Sequence, residues 1–128
     1  MKRAIFLASL GKGTTSPNPM VGAVILDKDG SLISEGFHYK SGMPHAEAMA
    51  FNNLKKDARG GTIYVNLEPC CHHGRTPPCV DKIISYGIKK VFVSIVDPDK
   101  RVSGKGIKFL KDAGIKVHQG LCEKESLE

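Results

Sequence analysis

The chain has 128 residues and a mass of 13.9 kDa, which is the size of one compact domain that can bury a core without disulfide bonds. Its hydrophobic share of 41% and charged share of 25% exclude a disordered chain, and the sequence has no apolar run long enough for a transmembrane helix. A formal net charge of +6 favours an anionic partner, either a phosphorylated small molecule or a nucleic acid.

The N-terminal segment is interpreted as an amphipathic helix. Lys2 and Arg3 precede the short apolar run 4–10, which is similar to a signal peptide, but no convincing cleavage site follows it. The residues expected on the buried side of this helix are Ile5, Leu7 and Leu10.

Strands that alternate with helices predict an α/β fold. Residues 20–26 and 31–37 flank the turn sequence 27–30 and predict an antiparallel hairpin. The remaining predicted elements are, in chain order, a helix over 45–56, a strand over 62–67, a helix capped by Thr76 and ending at Tyr86, a strand over 91–96, a helix over 103–113 and a strand over 115–118. This order predicts one domain over residues 1–128, with helices packed on a mixed, largely parallel sheet of about five strands.

The cysteines predict a metal site. Cys70, Cys71 and Cys79 fall within ten residues that also contain His72 and His73. Adjacent cysteines are awkward disulfide partners, and a chain that builds its own core does not need disulfide bonds. Because free thiols persist in reducing compartments, we expect the protein in the cytoplasm.

Two segments carry candidate chemistry: His45-Ala46-Glu47, and the run from Glu68 to Cys79. A catalytic zinc site has three protein ligands and one position open for water, and zinc deaminases combine H-x-E with P-C-x-x-C. This sequence departs from the second motif, because Cys70 is followed by Cys71 and then by Cys79. Two adjacent cysteines on one zinc ion would strain the chain, so Cys79 is the better second ligand.

The spacing of His45 and Glu47 sets a geometric condition. Residues two apart do not share a helix face, so His45 must lie at the very start of its helix if both side chains are to reach one metal ion. Glu47 is then the general base that takes a proton from water and passes it to the substrate. The plainer interpretations are a surface histidine and a first-turn carboxylate. His72 and His73 are interpreted as substrate contacts or as groups that support the ligands, and the alternative is that they complete a structural zinc site with Cys70 and Cys79.

Four runs of sequence resemble the deaminase domain of the bacterial riboflavin-biosynthesis RibD family. They are TSPNPMVGAVI (15–25), GFHYKSGMPHAE (36–47), LEPCCHHGRTPPC (67–79) and VDPDKRVSGKGI (96–107). The resemblance covers nearly the whole chain and implies a three-layer α/β/α cytidine deaminase-like fold with one zinc ion. It implies that His45, Cys70 and Cys79 are the zinc ligands. Glu47 is, by the same resemblance, the proton shuttle.

The resemblance also implies a substrate, 2,5-diamino-6-ribosylamino-4(3H)-pyrimidinone 5′-phosphate, which loses the amine at ring position 2. The residues at positions that contact substrate in the family are Asn18, His38, His72 and Arg75. Family members continue past the region 121–128 into an NADPH-dependent reductase domain. We therefore expect no reductase activity here, a separate or excised reductase domain as a partner, and a homo-oligomer.

Two other functions remain open at this point. One is a deaminase of another nucleobase, nucleotide or tRNA, and the other is a non-catalytic, zinc-stabilised nucleic-acid-binding module. The basic pairs at 55–56, 89–90 and 100–101 are scattered, and the chain has three tyrosines, five phenylalanines and no tryptophan. A surface for stacking bases is therefore not evident, which disfavours a nucleic acid, and no membrane partner is expected.

Overall fold

The computed structural model describes residues 1–10, 20–38, 45–70, 78–96, 103–122 and 124. In chain order, its elements are α1 (Lys2–Ser9), β1 (Gly22–Leu26), β2 (Leu32–Phe37), α2 (Ala46–Asn52), β3 (Thr62–Leu67), α3 (Cys79–Ser85), β4 (Lys90–Ile95), α4 (Lys105–Asp112) and β5 (Lys116–Gln119). None of the helices in these ranges has the length and apolar character that crossing a bilayer requires.

The strands form one mixed sheet in the order β2-β1-β3-β4-β5. β1 runs antiparallel to both β2 and β3, whereas β3, β4 and β5 run parallel to one another. The predicted α/β fold, with an N-terminal hairpin and about five strands, is confirmed. The register of the hairpin shifts between Ile25 and Leu26, because Ile25 lies opposite Ser34 and Leu26 lies opposite Leu32.

Helices cover both faces of the sheet. Because successive side chains of a strand point to opposite faces, alternate residues of β1 belong to two different cores. Ala23 and Ile25 of β1 belong to the larger core, and Val24 belongs to a smaller one. The larger core joins the sheet to α2, α3 and α4 through Phe51, Val80, Ile83 and Leu110, together with Ile63, Val65, Val91 and Val93 of β3 and β4. The smaller core lies under α1, and the fold therefore has the three α/β/α layers that the resemblance implies.

The helix α1 is confirmed, but its buried face differs from the prediction. The residues it buries are Ala4, Leu7 and Ala8. Leu10 follows the last helical residue and is 47% exposed, so its predicted burial is wrong. A Cβ atom at Gly22 would lie only 2.0 Å from the carbonyl oxygen of Ala4. Because the helix backbone rests directly on β1, the two residues nearest Gly22 are the small residues Ala4 and Ala8.

The helix α2 ends at Asn52, four residues before the predicted end at Lys56. The N–H of Lys55 donates to the carbonyl oxygen of Ile33 at 3.3 Å. Because this amide bonds to β2, Lys55 does not continue the helix. Thr62–Leu67 matches the predicted strand, and the bounds of β4, α4 and β5 differ from the predictions by at most two residues.

The helix α3 begins at Cys79, with Pro78 as its N-cap, so the prediction of Thr76 as N-cap is wrong; Thr76 itself lies outside the described residues. The first N–H groups of a helix lack intrahelical partners. Here the Cys79 N–H donates to the sulfur of Cys70 at 3.3 Å, and the Val80 N–H donates to the carbonyl oxygen of Cys70 at 3.2 Å. Cys70 therefore caps α3 from outside the helix.

The helix α2 rests on β2 by direct contact between backbones. A Cβ atom at Gly36 would lie 2.4 Å from the carbonyl oxygen of Ala46 and 2.6 Å from the amide nitrogen of Ala50. The hydroxyl of Ser34 also donates to the carbonyl oxygen of Ala50. These contacts fix the start of α2, and with it the position of His45, relative to the hairpin.

We predict that Gly36→Ala lowers the free energy of unfolding by about 3 kcal/mol, because the added methyl group overlaps the α2 backbone. Urea unfolding followed by circular dichroism measures the change. The control is Gly30→Ala, where a Cβ atom meets nothing within 4 Å but φ is +88°, so that it costs only the left-handed conformation, about 1 kcal/mol. Equal losses for the two variants would contradict close packing at Gly36.

Candidate metal centre

The candidate site lies at the end of the sheet where β3 terminates. From Leu67 the chain runs through Pro69 to Cys70, while His45 immediately precedes α2 and Cys79 begins α3. In open α/β sheets, ligands bind beyond the carboxyl ends of the strands. Two helix starts and one strand end thus converge at the place where this architecture normally holds a ligand.

The structure brings His45, Cys70 and Cys79 together. The Nδ1 atom of His45 lies 3.8 Å from the sulfur of Cys70 and 3.6 Å from the sulfur of Cys79. The three candidate ligand atoms all lie within 4.8 Å of one another. His45 is the N-cap of α2, with an extended backbone at φ −64° and ψ 161°, so the geometric condition derived from the sequence is met.

These separations fit a tetrahedral zinc ion. With Zn–S distances of about 2.3 Å and Zn–N distances of about 2.0–2.1 Å, a nitrogen and a sulfur ligand lie about 3.6 Å apart. The observed nitrogen–sulfur distances are 3.6 and 3.8 Å. One imidazole and two thiols are a donor set that zinc prefers, and three protein ligands leave the fourth position for water or substrate.

Hydrogen bonds among the two thiols and the imidazole shift the pKa values of all three groups. The hydrogen bond from the Cys79 thiol, with a further contribution from His45, lowers the pKa of Cys70 to about 4. The bond to Cys70, together with burial, raises the pKa of Cys79. The bond to Cys70 also raises the pKa of His45 above its ordinary value. Cys70 is therefore the thiol that becomes a metal-binding thiolate most readily.

Glu47 lies beside this group as the second residue of α2. Its side chain is 4% exposed, and it lies close enough to Cys70, Cys79 and His45 for these groups to act on its pKa. Burial raises the pKa of its carboxyl group to about 7. A carboxyl group with a pKa near neutrality can accept a proton and release it again within one reaction cycle.

Of the predicted substrate contacts, His38 is described and the others are not. The His38 side chain is 3% exposed, and its ring meets the ring of His45 edge-on with centroids 5.6 Å apart. Asn18, His72 and Arg75 lie outside the described residues, as do Cys71 and His73. Their predicted roles stay predictions.

Asn66 lies near the end of β3, at the same end of the sheet as the candidate site, and the sequence did not predict its role. Its Oδ1 atom accepts a hydrogen bond from the Gly22 N–H at 2.8 Å, and its Nδ2 atom donates to the carbonyl oxygen of Met20 at 3.1 Å. The amide thus fastens the entry of β1 to the end of β3. A lone amide near the end of the apolar run TIYVNL is the signal that could have indicated it.

Comparisons with known proteins agree with this geometry. The family model for the cytidine and deoxycytidylate deaminase zinc-binding region matches residues 1–95. The riboflavin biosynthesis protein RibD of Aquifex aeolicus is 52% identical over 128 residues, which is 100% of this chain and 36% of that protein. The diaminohydroxyphosphoribosylamino-pyrimidine deaminase of Buchnera aphidicola subsp. Schizaphis graminum is 52% identical, and the match covers 98% of this chain and 85% of that protein.

One solved structure is similar to this chain in both fold and sequence. The diaminohydroxyphosphoribosylaminopyrimidine deaminase/5-amino-6-(5-phosphoribosylamino)uracil reductase of Thermotoga maritima has a TM-score of 0.93 and 50% identity, and the match covers 98% of this chain and 36% of that one. The chain thus spans about a third of the length of the Aquifex and Thermotoga relatives.

We predict that Cys79→Ser lowers the zinc bound after purification to less than about a tenth of one equivalent, because a hydroxyl group is a much poorer zinc ligand than a thiolate. Elemental analysis measures the zinc content. The control is Cys122→Ser, a half-buried thiol outside the cluster, which is expected to keep a full equivalent. Equal zinc contents in the two variants would mean that Cys79 is not a ligand.

Proposed function

This chain belongs to the family of the cytidine and deoxycytidylate deaminase zinc-binding region, and on that premise we propose that it is a zinc-dependent hydrolytic deaminase. The proposed substrate is 2,5-diamino-6-ribosylamino-4(3H)-pyrimidinone 5′-phosphate. The products are 5-amino-6-ribosylamino-uracil 5′-phosphate and ammonia, in riboflavin biosynthesis.

One observation carries the proposal: a buried carboxyl group lies next to three convergent zinc-binding side chains. His45, Cys70 and Cys79 offer ligand atoms within 4.8 Å of one another, and Glu47 contacts Cys79 from the first turn of α2. A structural zinc site does not need a buried acid beside it. A hydrolytic site does, because water must lose a proton in order to attack.

The proposed roles follow from this arrangement. Zinc held by His45, Cys70 and Cys79 supplies Lewis-acid activation of water. Two thiolates offset the charge of Zn²⁺, so the attacking water needs a base, and Glu47 takes its proton. Glu47 then gives that proton to the ring nitrogen beside the attacked carbon. The second proton of the water leaves with the amine, which departs as ammonia when the C–N bond breaks.

The choice of substrate rests on relatives. A Buchnera protein of similar extent is named for this pyrimidine deamination and is 52% identical. We propose that Asn18, His38, His72 and Arg75 contact the substrate. The position of the His38 ring beside His45 supports its part in this set. Arginine suits a phosphate because its guanidinium group can donate two parallel hydrogen bonds.

We further propose that a reductase consumes the product, whether it is attached to this chain or separate. The Thermotoga relative carries a reductase together with its deaminase. Cytoplasm is the proposed compartment, since the thiolate ligands stay reduced there, and a homo-oligomer is the proposed state.

We predict that Glu47→Gln lowers the rate of ammonia release by about 10²–10⁴-fold while zinc and fold are retained, because the amide cannot accept and return the proton. An ammonia assay and elemental analysis of the same sample measure the two quantities. Glu35→Gln is the control, since Glu35 pairs with Arg3 on the surface, and its activity should equal that of the unmodified chain. Full activity of Glu47→Gln would favour a zinc-stabilised module whose chemistry lies elsewhere.

A second prediction concerns the substrate. At equal concentrations, the diaminopyrimidinone phosphate is expected to release ammonia with a kcat/KM at least about 100-fold above that of dCMP or of tRNA, because buried polar groups reject ligands that leave them unpaired. Parallel ammonia assays make the comparison. Release from dCMP or tRNA alone would assign the chain to another branch of the family.

A further inference from the structure

We propose that Glu68 is a positioning residue for the metal centre: its buried carboxylate anchors the start of α4 and thereby holds Cys70 in place. The proposal deepens the proposed function and rests on it. Neither the zinc ligands nor the proton carrier of that function includes Glu68, which lies between the end of β3 and Cys70.

Both the main chain and the side chain of Glu68 are fixed. Its N–H donates to the carbonyl oxygen of Ile95 at 3.0 Å, which extends the pairing of β3 with β4 by one residue. Its side chain is 5% exposed. The Oε1 atom accepts a hydrogen bond from the Gly104 N–H at 2.9 Å, and the Oε2 atom accepts one from the Ile107 N–H at 3.2 Å.

These two donors belong to the N-terminus of α4, where a carboxylate is strongly favoured. The first N–H groups of a helix have no partners inside it, and the helix dipole places partial positive charge there. Gly104 is the N-cap of α4 and has no side chain that could accept these bonds. Glu68, the residue that follows β3, therefore supplies the cap that α4 lacks in its own sequence.

A second contact locks the same segment. A Cβ atom at Gly106 would lie 2.2 Å from the carbonyl oxygen of Pro69 and 3.3 Å from the Oε2 atom of Glu68. Pro69 is itself fully buried. The backbone of α4 thus touches the backbone just before Cys70, so neither segment can move closer to the other.

These two contacts matter because Cys70 directly follows Pro69. Beyond it, the carbonyl oxygen and the sulfur of Cys70 accept hydrogen bonds from the first turn of α3. Cys70 is therefore held between α4 on one side, through Glu68 and Pro69, and α3 on the other. Metal ligands work only when their positions are set to within about 0.5 Å, so loss of the α4 anchor should loosen the sulfur relative to His45 and Cys79.

The carboxylate of Glu68 acts through the backbone and not on the metal ion. Its two oxygen atoms bind the N–H groups of α4, and the group of convergent ligand atoms comprises His45, Cys70 and Cys79. We therefore expect Glu68 to affect the zinc affinity and to take no part in proton transfer.

The test compares four variants of the zinc-loaded chain. Glu68→Ala removes both bonds, and Glu68→Gln keeps the shape but places an NH₂ group against one of the two N–H donors. Gly106→Ala presses on Pro69 while Glu68 stays intact. Asp27→Asn is the matched control, because the Asp27 carboxylate also accepts two backbone N–H bonds, from Asp29 and Ser31, but does so in the hairpin turn at the opposite end of the sheet.

We measure zinc affinity by competition with a chelator, and amide hydrogen exchange at Gly104 and Ile107. Variants at Glu68 and Gly106 are expected to bind zinc about 10–100-fold more weakly, the usual effect of losing a group that orients a metal ligand. In Glu68→Ala, both amides should exchange faster. Asp27→Asn should lower the unfolding temperature without changing zinc affinity.

Unchanged zinc affinity in Glu68→Gln and Gly106→Ala would overturn the proposal, as would an equal loss of affinity in Asp27→Asn. If Glu68→Ala does not fold, the other two variants still decide. The proposed function fails separately: the unmodified chain would then bind zinc but release no ammonia from the pyrimidine, a result that leaves the zinc affinities of the variants unaffected.

Discussion

The hydrogen bond from the Cys79 N–H to the Cys70 sulfur, at 3.3 Å, joins two residues nine positions apart in the chain and satisfies two requirements together. It gives a partner to an N–H group at the start of α3, and it sets one sulfur atom at the positive end of that helix. Together with the bond from the Val80 N–H to the Cys70 carbonyl oxygen, it makes the helix cap and the metal-binding segment the same piece of chain. Because this bond holds the Cys70 and Cys79 segments together, both sulfur atoms lie close to His45.

The charges around this bond explain why the cluster suits a divalent cation. Three acidic groups converge on one imidazole: the Cys70 and Cys79 thiols and the Glu47 carboxyl group. Burial raises the pKa of Glu47, and the hydrogen bond to Cys70 together with burial raises the pKa of Cys79. In the proposed site, a zinc ion would replace the protons on the sulfur atoms and neutralise their charge. Glu47 would then be the acidic group that exchanges a proton.

Local sequence patterns predicted most of the fold. The run TIYVNL gave a strand with the predicted bounds because its β-branched and apolar residues lie between a Gly-Gly pair and a proline. The errors occur where distant residues decide. The inner face of α1 carries Ala4 and Ala8, because the helix backbone rests on β1 at Gly22, and α2 stops early because Lys55 bonds to Ile33. The helix α3 begins after Pro78, and its first N–H groups bond to Cys70, which is distant in the sequence. None of these contacts has a short-range signal.

The candidate site was predictable in its residue types, from the H-x-E spacing and the crowded cysteines. The support around the site was not, because Asn66 and Glu68 act through bonds to chain segments at least 36 positions away. The hairpin adds a last consequence. Its irregular pairing at Ile25 and Leu26 lies between the turn and Gly36, where α2 is seated. An insertion in the turn would lengthen the hairpin on the far side of this bulge from Gly36, so we expect the tip to tolerate changes in length while the end of α2 that carries His45 stays in place.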